Sequence, residues 1–91
     1  MTHTSRFTLA HARTGQAHRV KGLRAPSHAP EWVQWLEEIG FVDGEHVSVL
    51  ARGVPGSDPL VIRIGQSTFA LRKAEADCVE LHDNAQQELA A

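Results

Sequence analysis

Between Phe41 and Leu81 apolar and polar residues alternate in four short runs, and no other part of the chain could supply a core. In Glu45–Ala51, Val47, Val49 and Ala51 fall on one face against His46, Ser48 and Leu50. Leu60–Ile64 sets Leu60, Ile62 and Ile64 against Val61 and Arg63. Ser67–Arg72 sets Phe69 and Leu71 against Thr68 and Ala70, and Cys78–Leu81 carries Val79 and Leu81. A period of two sends one set of side chains inward and the other toward water. Four such runs divided by turn signals predict a mainly β fold, a small antiparallel barrel or sandwich.

The punctuation agrees. Asp43-Gly44 precedes the first run, and Pro55-Gly56 supplies the corner residues of a type II turn between the first and second. Gly65-Gln66 fits a two-residue hairpin between the second and third.

Upstream lies one helical pattern, Pro30 to about Ile39. Pro30 suits the first helical position, and Glu31 meets the positive end of the helix dipole. Trp32, Trp35, Leu36 and Ile39 form an apolar stripe with Val33 at its border, while Gln34, Glu37 and Glu38 face away. Gly40 provides the C-terminal cap. The stripe must bury itself on the barrel. Two tryptophans are a large load for so short a helix, so any excess becomes a contact site.

The first third reads differently. Residues 1–7 form an arm, with Phe7, Leu9 and Ala10 in a short turn or strand that pins it. Gln16–Leu23 is a further strand, with Val20 and Leu23 inward and Arg19 and Lys21 outward. Residues 82–91 form a polar tail, leaving 8–81 as the domain. Ninety-one residues suffice for one domain. One cysteine excludes an internal disulfide and suits a reducing compartment. No run is apolar enough to span a bilayer, and Met1–Ser5 lacks a signal peptide's apolar centre, so the expected location is cytoplasmic.

Charge is unevenly spread beneath a net −2. Residues 1–30 hold Arg6, Arg13, Arg19, Lys21 and Arg24 and no acid, whereas residues 31–91 hold eleven acids against four bases. A basic strip on an acidic body steers acidic partners. Nucleic acid does not fit, given the acidic body and few aromatic residues.

Chemistry-bearing motifs are scarce. There is no nucleophile in a motif setting, no paired carboxylates, and the glycine loop at Gly53 and Gly56 lacks the Lys-Ser/Thr that grips phosphates. An enzyme is not expected. One cluster suggests a metal: on the last strand Cys78, Glu80 and His82 are spaced to alternate outward, and such a set suits zinc or iron. Three residues on one strand cannot surround an ion, so a further ligand would be needed; an ordinary mixed polar face is the alternative.

The segment Trp35-Leu36-Glu37-Glu38-Ile39-Gly40-Phe41-Val42-Asp43-Gly44, followed by Val47-Ser48-Val49-Leu50, resembles the ferrous iron transport protein A family, FeoA. Gly56-Ser57-Asp58-Pro59-Leu60, then Phe69-Ala70-Leu71-Arg72-Lys73, then Ala76, Val79 and Leu81 follow in the family's order. Thr8-Leu9-Ala10 and Gly15 with Val20-Lys21-Gly22-Leu23 match its opening strand. The resemblance implies an SH3-like barrel with one inserted amphipathic helix and no catalytic residues. It also implies a cytosolic accessory of a ferrous-iron permease that carries a cytosolic GTP-binding domain, reaching the membrane only through that partner. No cofactor is required on this view. Trp32, Trp35, Arg19, Lys21 and Arg24 are then the candidate partner-binding residues. This helix departs from the family pattern, with Glu31, Trp32, Gln34 and Trp35 where arginine and leucine are common. The domain also resembles the C-terminal module of iron- and manganese-dependent repressors, which makes a metal-responsive adaptor the alternative function.

Overall fold

A computed structural model describes residues 7–53, 56 and 58–82. The arm up to Arg6, the tail from Asp83 and the Pro55 corner lie outside the described residues. After a 3-10 turn at Leu9–His11 the elements are β1 (His18–Leu23), α1 (Glu31–Ile39), β2 (His46–Arg52), β3 (Leu60–Ile64), β4 (Ser67–Leu71), α2 (Lys73–Ala76) and β5 (Val79–Leu81). The strands form one sheet in the order β4-β3-β2-β1-β5, with every neighbouring pair antiparallel. The expected class, mainly β with an inserted amphipathic helix, is what forms.

Cross-strand register follows the alternation. Gly65-Gln66 closes the β3–β4 hairpin, so that Ile64 faces Ser67, Ile62 faces Phe69 and Leu60 faces Leu71. Val47 and Val49 of β2 stand opposite Ile64 and Ile62. Val20, Val47, Val49, Leu60, Ile62, Ile64, Leu71, Val79 and Leu81 are all buried on the sheet's inner face, joined by Leu9, Leu36 and Phe41. Each such side chain contributes about 1.5–3 kcal/mol by leaving water.

Two bulges modify this plan. Val49 pairs with Ile62 and Ala51 with Val61, so β2 holds one residue more than β3 across that step. An extra residue breaks the period of two and bends the strand. Ala51, expected inward, is therefore exposed, and so is Leu50. Beyond the bulge the half-buried Arg52 reaches back, its guanidinium donating to the carbonyls of Ala10 and Ala12. That contact ties the 3-10 turn to β2. The second bulge falls in β1, between Val20 and Gly22 opposite β5.

Helix α1 begins and ends as its residues dictate. Pro30, expected as the first helical residue, sits one position before it as the N-cap, and Glu31 is the acid of the first turn. Gly40 stops the helix at φ 129°, its N–H donating to the Leu36 and Glu37 carbonyls at 3.2 and 3.1 Å. An L side chain there is strained, and its Cβ would lie 3.7 Å from Ile64 Cγ1. Gly40→Val should therefore destabilise by more than about 1 kcal/mol, measured by thermal melting. An unchanged melting temperature would show that this backbone tolerates a β-branched residue.

The second helix was not legible in the alternation. Lys73–Ala76 is a single turn held at its start by two carboxylates, one its own and one from before β3: Glu75 accepts from the Arg72 N–H at 2.8 Å and Asp58 from the Lys73 N–H at 3.0 Å. Ala76 packs into the core. At the N-terminal side the turn expected around Phe7–Ala10 is the 3-10 turn, with Leu9 fully buried. No helix among the described residues is long and apolar enough to cross a membrane.

Candidate partner-binding surface

Strand β1 sorts its side chains by parity. His18 and Val20 are buried, while Arg19 between them and Lys21 after them are exposed. Register then sets their neighbours: Arg19 lies opposite His46 of β2, and the Arg19 carbonyl accepts from the His82 N–H at 3.0 Å. Neither Arg19 nor Lys21 is ion-paired with a described residue.

Arg24 differs. It follows the end of β1, where its N–H donates to the Cys78 carbonyl at 2.9 Å. Its guanidinium approaches Glu80 of β5 at 3.6 Å, with the arginine side chain 68% exposed. Such a rim pair is worth little in stability, but it offsets part of the charge that Arg24 could offer an acidic partner.

The helix divides its tryptophans. Leu36 is fully buried, and Trp32 and Ile39 pack partly buried against the core. Trp35 is 39% exposed. One residue step turns a helix by about 100°, so Trp35 points away from the Leu36 direction, whereas Trp32 and Ile39 flank it more closely. Trp35 consequently stands on the same stripe as Glu31, Gln34 and Glu38, all exposed. Of the two tryptophans, Trp35 is the exposed one. Trp32 instead meets the His28 ring edge-on at 6.2 Å between centroids. With His28, Arg24, Pro26, Ala74 and Asp77 it lines a groove of about 320 Å³ beside α2.

The three residues read as a metal face do not share one. Strand β5 starts at Val79, and Cys78 belongs instead to the exit of α2, its N–H donating to the Glu75 carbonyl. That geometry turns Cys78 inward: it is 2% exposed, with Sγ 3.5 Å from the Ala74 carbonyl. Glu80 is occupied by Arg24, and His82 Nε2 stands 3.4 Å from Asp43 Oδ1. Among the described residues no group of three or more histidine, cysteine or acidic side chains is placed to hold an ion.

Two polar features carried no periodic signal. Thr8 is buried, and its hydroxyl donates to Asp77 Oδ1 at 2.9 Å with His11 Nδ1 at 3.1 Å, joining the 3-10 turn to the exit of α2. His18 is buried against the Phe7 ring at 5.2 Å. The Thr8–Asp77 bond joins segments 69 positions apart, which a local pattern does not reveal.

With this geometry in view, the comparisons are specific. A family model described as the FeoA domain matches residues 7–82. The zinc complex of FeoA from Stenotrophomonas maltophilia, described as a prokaryotic SH3 domain protein, is 33% identical, with 87% of this chain and 92% of that chain covered and a TM-score of 0.77. Iron(II) transport protein A from Clostridium thermocellum is 33% identical over 84% of this chain and 44% of that chain, at a TM-score of 0.69. A manganese-dependent transcriptional repressor matches at 21% identity, 82% and 40% coverage and a TM-score of 0.67, a likeness of fold alone. No curated protein sequence matches.

Proposed function

Because the chain belongs to the FeoA domain family, for which it carries an accessory role in ferrous iron transport, we propose that it acts by binding the cytosolic GTP-binding domain of a bacterial iron permease. The observation that carries this reading is the exposed cations Arg19 and Lys21, in no ion pair with a described residue, on a strand without acids. Charges displayed in that way accelerate encounter with an acidic surface and add specificity more than affinity. Trp35 supplies an exposed aromatic anchor of the type in which binding energy concentrates. Arg24 and Trp32 sit on the rim, the first shared with Glu80 and the second largely committed to the core. The protein's place in the cell is the cytoplasm, and it reaches the membrane through its partner.

Titration of the purified protein with the permease's cytosolic domain tests the proposal. Weak binding is expected, falling as salt rises, because surface charges are screened within about 10 Å at 0.1 M. Neutralising Arg19 and Lys21 together should slow association, and Trp35→Ala should weaken the complex more than Trp32→Ala does. Absence of binding at low salt, with both proteins folded and concentrated, would sink the reading. Binding indifferent to salt would keep the partner and remove the cationic strand from the mechanism.

A further inference from the structure

The sheet and the helix of this molecule carry opposite charge. Strands β1 to β4 contain no acidic residue. Register places their outward cations on one surface: Arg19 opposite His46, and Arg63 opposite both Ser48 and Thr68. Lys21 is exposed further along β1, at its bulge, and Leu50 is 43% exposed at the bulge of β2. Arg19, Lys21 and Arg63 are exposed and in no ion pair with a described residue.

The outward side of α1 is the reverse image. Glu31 and Glu38, four residues before and three after Trp35, are exposed there beside it without a described cationic partner, Glu37 is exposed further round the helix, and Trp35 is 39% exposed. Leu36 of α1 and the inner residues of β1 to β3 share one core, so the two charged surfaces point away from it on different sides. Each surface thus pairs one large exposed apolar side chain with charges of a single sign.

We infer that the outward face of β1 to β3 is a docking surface for the acidic Trp35 face of α1 on a second copy of this chain. The contact is heterologous: two different patches meet, so each copy keeps one patch available for the next. It goes beyond the permease reading and stands without it. Where both hold, the two compete, since Arg19, Lys21 and Trp35 serve each. Charge sets the fit and Leu50 with Trp35 adds apolar contact, which makes the association weak and strongly salt-dependent.

Sedimentation of the full chain tests this. At about 0.01 M salt, where charges act over about 30 Å, the weight-average mass should climb with concentration above the 10.0 kDa monomer. At about 1 M salt, where the reach is about 3 Å, it should return to the monomer. A sheet variant carrying Arg19→Glu, Lys21→Glu and Arg63→Glu should stay monomeric. So should a helix variant carrying Glu31→Lys and Glu38→Lys, the acids beside Trp35 on its stripe. Circular dichroism would confirm that each variant is folded. Mixed in equal amounts, the two should associate, because each now presents the charge the other lacks. A wild type that stays monomeric at low salt overturns the inference. So does association that survives in either variant alone, or a mixture of folded variants that does not associate.

Discussion

Phe41→Ala should remove about 3–5 kcal/mol of stability, the cost of deleting a buried aromatic ring and leaving its cavity. Phe41 is fully buried, the largest of the side chains that are. It follows the Gly40 cap directly, and its N–H still donates to the Leu36 carbonyl at 3.1 Å. The ring is therefore the point at which α1 is fastened to the sheet's inner face. A domain of this length has roughly 5–14 kcal/mol in total, at about 0.05–0.15 kcal/mol per residue. The substitution should thus lower the melting temperature by more than about 12 °C, at roughly 4–8 °C per kcal/mol. Urea unfolding should show an earlier midpoint with an unchanged slope if the denatured state is unaffected. A loss below about 1 kcal/mol would mean that the helix is held elsewhere.

Gly53→Ala should be the most damaging of the small additions, at roughly 1–3 kcal/mol. Alanine at a glycine with compatible backbone normally stabilises by about 0.4–1 kcal/mol, by restricting the unfolded chain. Here sterics win. A Cβ on Gly53 would lie 2.6 Å from the Asp58 carbonyl oxygen and 2.8 Å from its carbon, backbone atoms that no rotamer change can move aside. Relief requires the chain at Asp58 to retreat from the end of β2, and two contacts depend on its place. The Gly53 N–H donates to the Pro59 carbonyl at 2.8 Å, and the Asp58 carboxylate accepts from Lys73 at the start of α2. Gly22→Ala is the control, with nothing within 4 Å of the added carbon. Comparable melting temperatures for the two variants would refute the clash.

Much of the fold was present in local pattern. The hairpin at Gly65-Gln66, the inward valines of β2, the stop at Gly40 and the outward Arg19 and Lys21 each depend on residues within a few positions of one another. Periodicity and cap chemistry act over that range. The candidate site was legible only in part, since exposure is a property of what packs nearby. Trp32 and Trp35 look equivalent in a stripe, and packing against the core covered part of Trp32 while leaving Trp35 exposed.

By itself the sequence determined which residues turn inward along the strands away from the bulges, where the helix ends, and that the strands β1 to β4 carry no acid. These are matters of period, backbone freedom and composition, complete before any long-range contact forms. Tertiary structure alone decided the rest. A bulge in β2 turned Ala51 out and let Arg52 reach back to Ala10 and Ala12, because the count of residues across a pair belongs to two strands together. The one-turn helix at Lys73–Ala76 placed Cys78 in the core rather than on a strand face, its start held by Asp58 from another part of the chain. Pairing across the sheet brought Arg63 to the same surface as Arg19, forty-four positions earlier in the chain, by a register that neither residue encodes.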